Sequence, residues 1–220
     1  MSRRMIFATR AQAGQLLAER LSALELSHPV VLALPRGGVP VAAEIARRLR
    51  APLDVALVRK IGAPGQPELA IGAVADGSSP EIVVNTALLG ELALDEDYVR
   101  GQGQRELALI EERRRSYAAL AAPVAIAGRA AIVVDDGAAT GMTMLTALRY
   151  LRREDPAQRV AALPVASREA LAMLRAEADV VVCLSSPRRF RSVGAFYRSF
   201  AQVSDAEVEA ALKDLHGVAT

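Results

Sequence analysis

The sequence predicts one α/β domain in which a mostly parallel central sheet is covered by helices on both faces. In the second half of the chain, short apolar segments alternate with segments of helical periodicity, as in residues 131–135, 141–152 and 159–165. The apolar segments are continuous, which is typical of parallel strands that are buried on both faces. The length suits a single domain over residues 1–220, although length alone also allows two small domains.

The first predicted elements are a helix, a strand and a glycine-rich loop. Residues 11–26 carry leucines at helical spacing, and the apolar residues 30–34 lead into the loop Pro35-Arg36-Gly37-Gly38. A second helix over residues 39–49 and a second strand over residues 53–58 follow. This order is typical of the start of a parallel sheet.

Glycine and proline interrupt the regular pattern at residues 62–67, where we predict a mobile loop. Residues 71–75 and 81–84 are predicted strands on either side of a turn at 76–80. A helical insertion at 86–122 then contains a long helix over 95–120. The remaining predicted elements are strands at 131–135, 159–165 and 180–184, helices at 141–152 and 168–176, and a final helix that a Ser204–Glu207 capping box opens and that ends near residue 215.

The composition argues against several classes of protein. Basic and acidic residues number 27 and 25, so the net charge of +2 does not provide the dense basic face of a nucleic-acid-binding protein. The basic N-terminus lacks the apolar stretch of a signal peptide, and no apolar run approaches the ~18 residues of a membrane span. We therefore expect a cytoplasmic protein without nucleic-acid or membrane partners, and a homo-oligomer stays open as an alternative. The single cysteine, Cys183, lies in an apolar run and is expected to be a buried, inert thiol.

The most informative segment joins the predicted strand 131–135 to the next helix. Two acids, Asp135 and Asp136, end the strand, and small residues then lead into a helix start that carries Thr140 and Thr143. Backbone N–H groups in such a loop, beside the positive end of a helix dipole, form a phosphate site. The acids would repel a phosphate, so sugar hydroxyls or Mg²⁺, which prefers carboxylate oxygens, suit them better. The segment predicts a phosphorylated sugar as ligand, although strand-end acids can also simply complement a helix dipole.

Residues 133–143 resemble the phosphoribosyl-pyrophosphate signature of type I phosphoribosyltransferases. The resemblance implies that Asp135 and Asp136 contact the ribose 2′ and 3′ hydroxyls, directly or through Mg²⁺ that is held mainly by the substrate. It also implies a loop that binds the 5′-phosphate. The residues of that loop are Ala138, Ala139, Thr140, Gly141 and Thr143.

Two earlier segments resemble further parts of this family. The glycine loop after the first strand is similar to the family's pyrophosphate loop, which implies contacts from Arg36 and Gly37 unless the glycines only form a tight turn. Arg59 and Lys60 precede the glycine- and proline-rich stretch in the manner of the family's flexible catalytic loop. The resemblance implies that both residues bind pyrophosphate, that Lys60 and Arg36 are catalytic, and that a loop at 61–69 closes over the substrate.

The resemblance covers residues 30–200 and is closest to a bacterial branch described only as predicted phosphoribosyltransferases. Features at Phe7, at Arg10 and at residues 203–205 support that branch. A small cover, or hood, is expected at 186–203 on the acceptor side, where aromatic rings can stack on a planar acceptor unless they belong to the core. The candidate rings are Phe190, Phe196 and Tyr197.

One departure from the family concerns proton transfer. Many purine-salvage members carry an acid at the position of Ala139, whereas adenine-type members have Ala-Thr-Gly, as this chain does. We therefore expect hypoxanthine and guanine not to be the preferred acceptors. Glu68 and Asp76 are weak candidates for a replacement base.

Together these patterns predict a magnesium-dependent enzyme that transfers a phosphoribosyl group to a nucleobase or related nitrogen acceptor and releases pyrophosphate. No serine-nucleophile, P-loop or dinucleotide motif supports another chemistry. One alternative from another class stays open, namely a non-catalytic regulator that uses the same pocket to sense phosphoribosyl pyrophosphate. The absence of an added DNA-binding motif and the presence of Lys60 favour the enzyme.

Overall fold

A computed structural model of the chain describes residues 6–75, 81–118 and 123–215. Fifteen regular elements and one short 3₁₀ helix, Val193–Phe196, are present among them. The strands are β1 (Val30–Ala33), β2 (Leu53–Val55), β3 (Val58–Ala63), β4 (Gln66–Ala75), β5 (Glu81–Val84), β6 (Ala130–Val134), β7 (Gln158–Val165) and β8 (Val180–Ser185). The helices are α1 (Arg10–Leu21), α2 (Gly38–Leu49), α3 (Thr86–Glu91), α4 (Glu96–Ala118), α5 (Met142–Leu151), α6 (Arg168–Arg175) and α7 (Asp205–Leu215).

The central sheet has five strands in the order β2-β1-β6-β7-β8, and every neighbouring pair is parallel. Alternate residues of its strands belong to two separate apolar clusters. Val31, Ala33 and Ile132 face a cluster shared with α1, α2 and α7, whereas Leu32 and Val133 face a cluster shared with α5 and α6. All of these strand residues are buried, so the predicted parallel sheet with helices on both faces is confirmed.

A second, antiparallel sheet in the order β3-β4-β5 corrects two predictions. The predicted strand at 53–58 is divided, because β2 ends at Val55 and Val58 begins β3 in the other sheet. The irregular loop predicted at 62–67 is a tight hairpin, since Ala63 pairs with Gln66 across Pro64-Gly65. Proline followed by a glycine at φ +70° is the sequence of a type II turn, so these residues form the turn rather than a loop. The predicted turn at 76–80 lies outside the described residues.

The helical insertion comprises α3 and α4. The short helix α3 was not predicted, although its N-cap Asn85 follows a common rule, since the side chain accepts a hydrogen bond from the Leu88 amide at 3.2 Å. The long helix was predicted, and its Ile110 and Tyr117 are buried. Residues 119–122 are not among those described. Helix α4 packs on the antiparallel sheet, which therefore lies between α4 and α5.

The start of α7 confirms the predicted capping box. The Glu207 amide donates to the Ser204 hydroxyl at 3.2 Å, and the Ser204 amide donates back to the Glu207 carboxylate at 2.8 Å. The hydrogen bonds that Ser204 provides lower the pKa of the Glu207 carboxyl. These reciprocal bonds satisfy two amides that the helix itself leaves without partners.

We predict that Gly65→Ala lowers the unfolding free energy by about 1 kcal/mol, because a residue with a Cβ is strained at φ +70°. No neighbouring atom would contact the added methyl group, so the backbone alone determines the effect. The matched control is Gly101→Ala in α4, where the space is equally open but the helical backbone should gain about 0.5–1 kcal/mol. Urea unfolding measures both, and equal stabilisation by the two variants would contradict the turn.

Candidate functional site

Two of the predicted segments meet at the carboxyl ends of β1 and β6. These strands are parallel neighbours with Ala33 opposite Val134, so the loops that leave them are adjacent. Arg36 and Gly37 lie in the first loop, and Asp135 begins the second. In open α/β sheets, ligands bind at this edge. The topology therefore brings together residues that are a hundred positions apart.

Gly37 permits the closest of these approaches. A Cβ atom at this position would lie 2.2 Å from Oδ2 of Asp136, well inside van der Waals contact. The peptide bond between Pro35 and Arg36 is cis. Gly37 itself has ordinary helical dihedral angles (φ −61°, ψ −34°), so the close approach to Asp136, and not a tight turn, is what requires a glycine here.

Asp135 is partly buried at the end of β6. Its Oδ1 accepts the Asp136 amide hydrogen at 2.8 Å. Burial, followed by repulsion from Asp136, raises the pKa of Asp135 well above its ordinary value, while the charges of Lys60 and Arg10 oppose the rise. The group is therefore close to cations but receives too little hydrogen bonding to offset its removal from water.

Asp136 is held through both its side chain and its backbone. The Arg10 guanidinium donates from Nε to Oδ2 at 2.7 Å, and the Tyr197 hydroxyl donates to the backbone carbonyl at 2.6 Å. Burial raises the pKa of the Asp136 carboxyl, and the hydrogen bond from Arg10 opposes the rise. Burial, with a smaller effect of Asp136, raises the pKa of Tyr197 far above its ordinary value, so this hydroxyl keeps its proton and donates.

In the expected phosphate loop, one backbone amide already donates a hydrogen bond to another part of the protein, whereas two others meet no acceptor among the described residues. The Ala138 amide donates to the Val165 carbonyl at 2.9 Å and Ala138 is buried, so this residue cannot offer its N–H to a phosphate as predicted. Ala139 and Thr140 are exposed, and their amides meet no acceptor among the described residues. Helix α5 begins directly after Gly141, so its positive end faces the same region. The region around these two amides therefore keeps the character of an anion site.

Arg59 and Lys60 point to opposite faces of β3, because neighbouring strand residues alternate. Arg59 forms an ion pair with Glu106 of α4, which is a correction to its expected place at the site. Lys60 is exposed, and its charge lowers the pKa of Asp135, which places the ammonium group on the side of the acids. The alternation therefore separates the predicted pair, with Lys60 on the side of the acids and Arg59 on the side of α4.

An open pocket of about 380 Å³ contains the two acids, the loop after β1 and part of the hood segment. Its lining residues are Arg10, Arg36, Gly37, Asp135, Asp136, Phe200, Gln202 and Val203. Arg36 also lies 3.7 Å from Asp205, across the pocket edge. A second cavity, of about 410 Å³, lies between α4, α5 and β2 and shares no lining residue with the first.

The aromatic residues of the hood segment are arranged differently from the prediction. Phe196 has no exposed surface and stacks on Phe190 at 5.5 Å between ring centres, so it offers no face to an acceptor. Tyr197 is 7% exposed and directs its hydroxyl to the Asp136 backbone. Phe200, which was not predicted, is 38% exposed and lines the pocket. All three residues are aromatic, and nothing in the sequence distinguishes the ring that lines the pocket from the two that are buried.

The carboxylates fit a magnesium ion only as partners of a substrate. Among residues 6–75, 81–118 and 123–215, no group of three or more His, Cys, Asp or Glu side chains could hold a metal. Asp135 and Asp136 supply carboxylate oxygens, the ligands that Mg²⁺ prefers, but Arg10 already occupies one of them. The donor set suits a cation bound mainly by phosphate oxygens.

Comparison with known proteins shows to which family the chain belongs. The family model for the phosphoribosyl transferase domain matches residues 3–195, which is most of the chain. The chain belongs to this phosphoribosyltransferase domain family. The resemblance found in the sequence is thereby confirmed, as is the fold.

Relatives of this phosphoribosyltransferase domain include curated proteins and solved structures. Two Mycobacterium tuberculosis proteins, provisionally named phosphoribosyl transferases, are 41% identical over 211 residues. The match covers 96% of this chain but 47% of theirs, so the chain spans about half the length of these relatives. The crystal structure of TT1426 from Thermus thermophilus is 46% identical, with a TM-score of 0.83, and the match covers 97% of this chain and 100% of that one.

A more distant structure shares the fold. A hypothetical protein from Neisseria gonorrhoeae, solved with bound ppGpp, is 14% identical with a TM-score of 0.53, and the match covers 97% of each chain. In the part of the phosphoribosyltransferase domain that the structure describes, no helix has both the length and the apolar character to cross a membrane.

We predict that Asp135→Asn stabilises the ligand-free domain at neutral pH, because it removes a charge that burial disfavours while its amide oxygen can still accept the Asp136 amide. The gain should appear at pH 7 as a higher midpoint of urea unfolding than that of the wild type.

The pH dependence of this gain follows from the raised pKa. The wild-type protein loses stability as the pH rises through the folded-state pKa, whereas below the ordinary carboxyl pKa both states are protonated and the gain should vanish. Urea unfolding at several pH values in a chelating buffer measures it, with the exposed Glu19→Gln in α1 as control. A less stable Asp135→Asn protein at pH 7 would show that the carboxylate is favoured in the fold.

Proposed function

We propose that this domain transfers the 5-phosphoribosyl group from phosphoribosyl pyrophosphate to a small nitrogen acceptor and releases pyrophosphate. The observation that carries the proposal is the position of Asp135 and Asp136 between two places suited to anions. On one side lie the free amides of Ala139 and Thr140 at the start of α5. On the other lie the cations Arg36 and Lys60.

A phosphorylated sugar with an anionic leaving group matches this order of charges. The 5′-phosphate binds at the free loop amides and the Thr140 and Thr143 hydroxyls, and the ribose hydroxyls contact the two acids. The pyrophosphate lies beside Gly37, Arg36 and Lys60. Magnesium, when bound with the substrate, neutralises part of the pyrophosphate charge.

The reaction displaces pyrophosphate from the ribose C1 carbon. The bond between C1 and the pyrophosphate oxygen breaks, and its electron pair leaves with pyrophosphate. The lone pair of the acceptor nitrogen forms the new bond to C1, and the proton of that nitrogen passes to solvent water. Arg36 and Lys60 stabilise the negative charge on the leaving group, while the acids lie beside the positive charge that develops on the sugar.

The absence of an acidic side chain at position 139 narrows the class of acceptor. Ala139 offers no carboxylate to a purine N7, so hypoxanthine and guanine are not the preferred acceptors. The weak alternative bases do not resolve this, because Asp76 lies outside the described residues and the Glu68 side chain is not described. A screen of purines, pyrimidines, orotate, anthranilate-like rings and amines for pyrophosphate release with Mg²⁺ identifies the acceptor.

Lys60→Ala separates an enzyme from a sensor. An interaction that strengthens in the transition state loses more rate than affinity when it is removed, so kcat should fall at least about ten-fold while the dissociation constant for phosphoribosyl pyrophosphate rises much less. The matched control is Arg59→Ala on the opposite face of β3, which should leave kcat within about two-fold.

The two remaining outcomes are equally informative. Pyrophosphate release that is unchanged in Lys60→Ala would remove this residue from the mechanism. A wild-type protein that binds the ligand tightly with Mg²⁺ but releases no pyrophosphate with any acceptor would replace the enzyme with the regulator.

A further inference from the structure

Arg10 is unusually buried for an arginine, with 11% of its side chain exposed. It is the first residue of α1, and it was not predicted as a site residue. Its Nε donates to Oδ2 of Asp136 at 2.7 Å, and its Nη1 donates to the Ala201 carbonyl at 2.8 Å. Its guanidinium carbon lies 3.8 Å from the centre of the Phe200 ring. One side chain thus contacts the strand-end acid and two residues of the hood segment.

This geometry uses the shape of the guanidinium group. The planar fork of an arginine can direct two N–H groups to two acceptors while its face stacks on a ring, and a lysine ammonium cannot reproduce all three contacts. The bond to Oδ2 fixes the rotation of the Asp136 carboxylate, and the Tyr197 hydroxyl fixes the backbone of the same residue at 2.6 Å. Tyr197, and Ala201 to which Arg10 also donates, lie in one short stretch of the hood segment.

We propose that Arg10 is a positioning residue for Asp136, which it orients toward the sugar and couples to the hood segment at 186–203. This inference rests on the proposed function, because it assigns the oriented carboxylate to the ribose hydroxyls. Arg10 acts through Asp136, whose carboxylate it holds in place. The N-terminal helix thereby becomes part of the substrate site, although it lies outside the three segments that carry the ligand-binding motifs.

A double-mutant cycle tests whether Arg10 acts through Asp136. Calorimetry with phosphoribosyl pyrophosphate and Mg²⁺ compares the wild type, Arg10→Gln, Asp136→Asn and the double variant. We expect Arg10→Gln to weaken affinity about ten-fold in the wild-type background and less than about two-fold in the Asp136→Asn background. An equal loss in both backgrounds, or no loss in the wild type, would overturn the proposal.

Two further variants separate positioning from general stability. Arg20→Gln lies on the same helix, is exposed and should leave affinity unchanged. Arg10→Lys keeps the charge and should recover only part of the affinity, and it replaces Arg10→Gln in the cycle if thermal unfolding shows that the glutamine variant does not fold. If Arg10→Lys binds as tightly as wild type, the fork geometry has no role and the proposal is wrong. A wild type that does not bind phosphoribosyl pyrophosphate would instead contradict the proposed function itself.

Discussion

Two adjacent carboxylates at the end of β6 are largely shielded from solvent, which disfavours their negative charge. The surrounding residues supply positive charge and hydrogen-bond donors that offset this cost. Burial raises the pKa of both Asp135 and Asp136. The compensation comes from Arg10 in α1, from Lys60 in β3 and from a backbone amide between the acids. In the absence of ligand this compensation is incomplete, which is typical of a site that sacrifices some stability for binding. Hydroxyl groups of a bound sugar would supply the missing donors.

The parallel sheet makes this arrangement possible. Because β1 and β6 are neighbours, the loop after β1 reaches the acids directly, and Gly37 lets it approach more closely than any side chain would allow. The antiparallel hairpin β3–β4 brings a cation from a separate sheet. The N-terminal segment and the hood complete the enclosure, since Phe7 and Tyr197 form an isolated parallel bridge. Four parts of the chain that are distant in sequence therefore surround one pair of acids.

The sequence predicted the fold well because local signals and the tertiary arrangement agree. Continuous apolar strands, helical periodicity and a capping box at Ser204 all describe interactions between near neighbours. The hairpin at Pro64-Gly65 was not predicted because glycine and proline indicate both loops and tight turns. The small helix α3 is too short to show a periodic pattern.

The site was predicted only as far as its motifs extend. The acids and the glycine loop belong to contiguous segments, whereas Arg10 is 126 residues away from its partner Asp136 and no local pattern joins them. Arg59 and Lys60 are equivalent in sequence, and only the packing of β3 against α4 decides which of them faces the acids. Burial likewise decides between Phe196 and Phe200.

In the proposed function, the acids lie between two anion sites that one ligand spans. A competition titration tests this claim most directly, with phosphoribosyl pyrophosphate and Mg²⁺ added to the wild-type protein in the presence of either ribose 5-phosphate or inorganic pyrophosphate. Each competitor should raise the apparent dissociation constant of phosphoribosyl pyrophosphate, because each occupies one of the two sites. Competition by only one of them, or no binding of phosphoribosyl pyrophosphate at all, would contradict the account.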